Sequence, residues 1–158
     1  MTAPGVDAPA ADVQALAERV VAGMLARDAF TRWLGAEVVE TAPRRSVVRM
    51  TVRDDMVNGF GTCHGGATYA LADSAFAFAC NAHGSVSVAL DVAVSYPNPA
   101  RVGDVLTAVA EAEAEPRRVG FYRVAVTNQR GELVLLFHGT AYDTRRPHAT
   151  GGAVEEAR

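Results

Sequence analysis

The sequence predicts an α+β fold, an antiparallel sheet of about six strands wrapped around one long central helix. Three observations carry this. Residues from about His64 to Asn81 are apolar or small nearly all round and hold one formal charge, Asp73. Such a helix is buried on most sides. Six segments elsewhere have strand character, and Val86 to Tyr96 alternates without a break. The links between strands are short, which favours antiparallel neighbours. A sheet curled around a single helix leaves part of that helix bare, so a second copy of the chain is expected to cover it. The expectation is a homo-oligomer, a dimer of dimers.

Residues 1–11 are rich in Ala, Pro and Gly and are expected to be disordered. A single domain is expected over 12–144. Asp12 could cap a first helix, Val13 to about Arg27, with Leu16, Val20, Val21 and Met24 at helical spacing. Phe30, Trp33 and Leu34 form a short apolar connector, expected to pack on the core. Val38-Val39 begin a strand, Pro43-Arg44-Arg45 turns it, and Ser46 to Arg53 returns with Val48, Met50 and Val52 on one face. The Gly-rich loop Asn58-Gly59-Phe60-Gly61-Thr62-Cys63 then leads into the buried helix. After Val86–Tyr96, three more strands are expected at Val105–Glu115, Val119–Asn128 and Leu133–Asp143. Pro97-Asn98-Pro99, Pro116-Arg117-Arg118 and Gln129-Arg130-Gly131 supply the turns. From Arg145 the chain turns polar, and 145–158 is expected to be a disordered tail.

Composition narrows the function. The chain has 158 residues, enough for one domain with a full core. Its net charge is -3 and no basic cluster dominates, which speaks against nucleic-acid binding. No apolar run is long enough to span a bilayer. There is no secretory leader pattern, and two cysteines make no disulfide framework, so a cytoplasmic location is expected. Cys63, His64, Cys80 and His83 invite a zinc reading. However, Cys63 and His64 are adjacent and cannot easily share one ion, and no CxxC is present, so no metal is expected.

Asp73 is the sharpest candidate for chemistry. A carboxylate in a buried helix is costly unless something binds it or its pKa moves. It is too deep in the helix to be a cap. The bland alternative is a structural ion pair with an Arg or Lys from elsewhere.

The strings NGFGTCHGG and LADSAFAFACN, with Tyr96-Pro97-Asn98-Pro99-Ala100, Gly103-Asp104, Gly120-Phe121-Tyr122 and Asn128-Gln129-Arg130-Gly131-Glu132, resemble the PaaI-type acyl-CoA thioesterases of the hotdog fold. The resemblance runs from about Val13 to Tyr142. It implies hydrolysis of an acyl-CoA, phenylacetyl-CoA or a hydroxylated relative, with no cofactor beyond the substrate's own coenzyme A. It implies that Asp73 acts as general base or as nucleophile, that the Gly65 N–H meets the thioester carbonyl oxygen, and that Asn58 stands near the scissile bond. His64 matches the histidine before the glycines. The resemblance also implies a shared site, in which Asp73 of one subunit would face the helix N-terminus of its neighbour. Ala89 departs from relatives that place a serine there, so a hydroxyl that could hold a water is missing.

Each role has a plainer reading beside it. Free N–H groups at a helix start form an oxyanion site, yet Gly65 and Gly66 could equally serve tight packing. Asn58 could simply shape its turn. His64 could orient the loop through backbone hydrogen bonds. Arg44-Arg45, Arg117-Arg118 and Arg145-Arg146 are most simply solvated charge. Of these, Arg117 and Arg118 are the pair chosen to meet coenzyme A phosphates. Tyr69, Phe76, Phe78 and Phe60 make an aromatic acyl group attractive, but aromatics are also ordinary core residues. Two other classes compete. A hotdog hydratase or dehydratase would want a second titratable residue, and none stands at an obvious match. An acyl-CoA-binding sensor would tend to lack the acid.

Overall fold

A computed structural model describes residues 10–149. In chain order these form helices α1 (Ala10–Arg27) and α2 (Ala29–Leu34), strands β1 (Glu37–Ala42) and β2 (Arg45–Thr51), and a single 3₁₀ turn at Asp54–Met56. Helix α3 (Gly65–Asn81) and strands β3 (Ser85–Ser95), β4 (Val105–Ala114), β5 (Val119–Thr127) and β6 (Leu133–Pro147) follow. The strands make one sheet in the order β1-β2-β4-β5-β6-β3, with every neighbouring pair antiparallel. This is the α+β arrangement that the sequence predicts.

Helix α3 carries the chain from β2 to the opposite edge at β3 and packs across the sheet on the way, touching β1 least. Its alanines explain how. Ala72, Ala75 and Ala79 are fully buried, and their small side chains let the helix lie close to the sheet. Alanine also has the best helix propensity. The inward faces of β4 and β5 supply Leu106, Ala108, Ala110, Tyr122, Val124 and Val126, alternating with more exposed residues. Phe76 packs edge-on to Tyr122 at 5.5 Å and against Phe137 at 5.3 Å between ring centroids. Burying side chains of this size stabilises the fold by about 1.5–3 kcal/mol each.

The helical cover is tied on by polar contacts. Gln14 donates to the Thr41 carbonyl at 2.7 Å, joining α1 to β1. The hydroxyls of Thr31 on α2 and Ser74 on α3 lie 2.9 Å apart and both residues are buried.

Four expectations need correction. Helix α1 starts at Ala10, so Asp12 lies in its first turn and is not its cap. The rest of the expected N-terminal disorder, 1–9, falls outside the described residues. Strand β6 continues through Arg145 to Pro147, which pairs with Ser85, so 145–147 are strand where the sequence predicts disorder; 150–158 falls outside the described residues. In the apolar connector only Leu34 packs inward, while Phe30 and Trp33 are 55% and 63% exposed. Finally, β3 is an edge strand whose register slips between Ala89 and Asp91, and Val88 and Leu90 are exposed despite their apolar phase.

Candidate active site

The loop before α3 is folded by Asn58. Its backbone N–H donates to the Thr62 carbonyl at 2.8 Å, and its carbonyl accepts the Gly61 N–H at 3.0 Å. Its side-chain oxygen accepts the Phe60 N–H at 2.9 Å, and its amide nitrogen donates to the Thr62 hydroxyl at 3.1 Å. Gly61 takes φ 74°, a conformation that glycine adopts without a steric penalty. The Cys63 and His64 N–H groups then donate to the Ala100 and Met56 carbonyls, at 2.8 and 2.7 Å, which anchors the helix start.

His64 is the N-cap. Its Nδ1 accepts the Gly66 N–H at 2.8 Å and its carbonyl accepts the Ala67 N–H at 2.9 Å. Among the described residues nothing accepts from the Gly65 N–H. Helix α3 thus keeps one free donor at the positive end of its dipole. The Gly65 carbonyl, on the other side of the same residue, accepts from the Thr68 hydroxyl at 2.9 Å and the Tyr96 hydroxyl at 3.4 Å. A Cβ on Gly65 would stand 3.2 Å from the Tyr96 ring, so a side chain here would press on that ring.

Two cavities flank this turn. One, of about 300 Å³, is lined by Asn58, Thr62, Gly65, Thr68, Tyr96 and Asn98 among others. The other, of about 270 Å³, includes Phe30, Trp33, His64, Gly66, Ala67 and Ala70. Asn58 and Gly65 are therefore together in the first, while His64 and Gly66 line the second. The sequence gives Thr68 no role, and Tyr96 only a place in a strand and in one family-like string, not one at the helix start. Tyr96 ends a strand-like run, and only the return of β3 toward the helix start brings it to Gly65.

Asp73 lies two turns further on. It is half-buried, and burial raises its pKa above the ordinary carboxylate value. Among the described residues no donor and no cation reaches its carboxylate. Phe76 and Cys80, three and seven residues after Asp73 and so on its side of the helix by spacing, are both buried within the chain's own core. The incompletely covered stripe instead runs Gly66, Tyr69, Asp73, Ala77. Tyr69 feels both burial and the nearby Asp73 charge, and its phenol pKa is raised. Asp73 stands eight residues after Gly65 on the helix, about 12 Å along the axis. One chain alone does not bring them together.

Arg117 and Arg118 sit near the far end of α3, lining a cavity of about 110 Å³ with Cys80, His83, Glu115 and Tyr122. Arg118 donates to the Asp143 carbonyl at 3.1 Å and lies over the Tyr142 ring at 4.6 Å. Arg117 is exposed, with φ 60°. Cys63 precedes the start of α3 and Cys80 lies at its end. Burial raises both thiols, Cys80 to about 12, so neither is a ready nucleophile. Of the aromatics considered for the acyl group, Phe76 and Phe78 are wholly buried core residues, Phe60 projects from its loop, and Tyr69 is half-buried on the open stripe.

Comparison with known proteins places this geometry. The model of the thioesterase superfamily matches residues 60–135. The chain is 36% identical to the acyl-coenzyme A thioesterase PaaI of Escherichia coli, over 83% of this chain and 89% of that protein. The solved structure of E. coli PaaI, from the phenylacetic acid degradation operon, superposes with TM-score 0.84 at 33% identity, covering 85% of this chain and 98% of that one. A variant of the phenylacetic acid degradation protein PaaI from Thermus thermophilus gives TM-score 0.71 at 43% identity, over 73% and 99%. A hypothetical thioesterase from Streptococcus pneumoniae, solved with coenzyme A, gives 0.68 at 26%, over 71% and 90%. With a six-stranded antiparallel sheet around one central helix and a relative of this identity over most of both sequences, the chain belongs to the PaaI-type thioesterases of the hotdog-fold superfamily.

Proposed function

We propose that this protein hydrolyses an acyl-CoA thioester to the free acid and coenzyme A, and that its acyl group is phenylacetyl or a hydroxylated aryl-acetyl. The observation that carries the reading is the open stripe of α3. A helix buried almost everywhere leaves uncovered one line of side chains, and that line bears Asp73, a carboxylate with no partner among the described residues. The relatives' names supply the substrate class: E. coli PaaI is an acyl-coenzyme A thioesterase.

The chemistry follows from these parts. The thioester carbonyl accepts the free Gly65 N–H, which stabilises the charge that builds on oxygen as the tetrahedral intermediate forms. Asp73 takes a proton from water while that water attacks the carbonyl carbon, or attacks the carbon itself. Collapse of the intermediate breaks the C–S bond, and the coenzyme A sulfur leaves and is protonated; where Asp73 is itself the nucleophile, water then hydrolyses the acyl–Asp73 anhydride, which releases the acid and restores the carboxylate. The raised pKa makes Asp73 a stronger base than an exposed carboxylate.

Because Gly65 and Asp73 of one chain are about 12 Å apart along the helix, the working site pairs Gly65 of one subunit with Asp73 of another. The exposed Val88 and Leu90 on edge strand β3 give that second subunit an apolar margin to cover. Arg117 and Arg118 would meet the coenzyme A phosphates. From Asp73 to the end of α3 is a further eight residues, so they belong with the subunit that gives Asp73.

Steady-state kinetics on a panel of aryl and alkyl acyl-CoAs, with light scattering on the same sample, tests the reading. Turnover with a preference for aryl-acetyl groups, by an oligomer, is expected. A monomer at micromolar concentration, or no turnover of any acyl-CoA, refutes it.

A further inference from the structure

A thioester has two arms, and the start of α3 has two cavities of different chemistry. The cavity at Gly65 is lined by hydroxyls and amides: Asn58, Thr62, Thr68, Tyr96 and Asn98. A chain containing amide bonds, as the arm leading to coenzyme A does, needs such partners when it leaves water. The cavity at Gly66 is walled by Phe30, Trp33, Leu34, Met56, Val57 and Ala70, with His64 and Asp55 as its polar side chains. An apolar group gains by entering the second and gains little in the first.

From this we infer that the Phe30–Trp33 groove seats the acyl group and sets its selectivity, favouring a ring-sized apolar group over acetyl. The inference rests on the thioesterase reading and names a part of its site. Two observations favour an acyl group as the occupant. The groove adjoins the reacting position, because its wall includes His64 and Gly66, the residues on either side of Gly65. Its aromatic wall is also held in place. Arg53 lies 5.7 Å from the Trp33 ring centroid, donates to the Leu34 carbonyl at 2.7 Å, and is paired with Asp55 at 3.0 Å. Phe30 stands 5.7 Å from the Trp33 ring, tilted by 32°. A wall fixed in advance lowers the ordering cost of binding.

Trp33 is the only tryptophan in the chain, so its fluorescence reports on this groove alone. Phenylacetate is titrated into the full-length protein, with acetate as control, and kcat/KM is measured for phenylacetyl-CoA and acetyl-CoA in wild type, Trp33→Ala and Phe30→Ala. Saturable change of Trp33 emission by phenylacetate and not by acetate is expected. Each substitution should lower kcat/KM for phenylacetyl-CoA by about tenfold more than for acetyl-CoA, in line with the loss of apolar pocket contacts. Equal loss on both substrates overturns the assignment. So does emission that moves with protein concentration and ignores phenylacetate, which would give the groove to a subunit contact. Should wild type hydrolyse no acyl-CoA, the thioesterase reading falls, and saturable phenylacetate binding at Trp33 still decides the groove.

Discussion

His64 and Gly66 form a closed pair at the start of α3. The imidazole Nδ1 accepts the Gly66 N–H at 2.8 Å, and a Cβ on Gly66 would stand 3.0 Å from that same nitrogen. The histidine therefore takes up one donor of the first turn and leaves its neighbour on Gly65 free. Losing an N-cap costs about 1 kcal/mol. His64→Ala should lower unfolding stability by that much in a denaturant titration, and His64→Ser should recover most of it. Full stability of His64→Ala would show that the cap contributes nothing.

Asp73→Asn keeps the shape and removes the base or nucleophile. A fall in kcat of at least about a hundredfold is expected, with little change in KM. Most of the wild-type turnover in this variant would remove Asp73 from the chemistry.

The same carboxyl has a pH signature in stability. Burial holds its pKa above the ordinary 3.8, so the folded chain binds this proton more tightly than the unfolded chain. Its stabilising contribution is complete below the ordinary carboxylate range and is lost as pH rises through the raised value. Asp73→Asn should thus be more stable than wild type at pH 7 and gain nothing near pH 3. Unfolding curves at the two pH values measure the difference. A destabilised variant at pH 7 would point to a partner for the carboxylate.

Asp104 behaves in the opposite sense. Its side chain is buried and accepts from Arg130, Gln129 and the Arg101 N–H, each at 2.9 Å. The Arg130 hydrogen bond leads in lowering its pKa, from 3.8 to about 2. The stability it contributes is present above about pH 4 and is lost as pH falls through about 2, at roughly 1.4 kcal/mol per pKa unit. Asp104→Asn should cost about 2 kcal/mol at pH 7 and far less at pH 2. A cost that does not change with pH would contradict the ion-pair account.

Gly139 on β6 makes room for the aromatic stack under α3. A Cβ there would meet the Phe137 ring at 2.7 Å and the Phe76 ring at 2.9 Å, and both rings are buried. Gly139→Ala should destabilise the fold by about 1–3 kcal/mol through overpacking. A thermal midpoint equal to wild type would mean that the rings move aside freely.

Much of this arrangement was legible in the sequence because it rests on local patterns. The all-apolar character of α3, the alternation along β4 and β5, and the turn residues each report an element directly. What escaped depends on partners distant in the chain. The phase of β3 is regular as letters, yet the strand lies at the sheet edge and slips register beside Asp91, so Leu90 is exposed. The open stripe of α3 could not be told from the covered ones, because Ala77 and Phe76 differ in exposure only through which strands reach them. Arg44, Arg117 and Arg145 read as charge, while the backbone places all three at φ near 60°, where glycine or asparagine would be expected. Phe30 and Trp33 looked like core, and only the placement of α2 shows them walling a groove.

The distance along one rigid helix between Gly65 and Asp73 has a genetic meaning. On the proposed shared site, neither group is any use to its own chain, so two defective chains can repair each other. A subunit with Asp73→Asn still offers a sound Gly65, and a subunit damaged at its Gly65 turn still offers a sound Asp73. Mixed pairs would hold one intact site and one doubly broken site. Dilution that separates the subunits would silence such an enzyme, and one poor allele would spoil a site that the good allele helped to build.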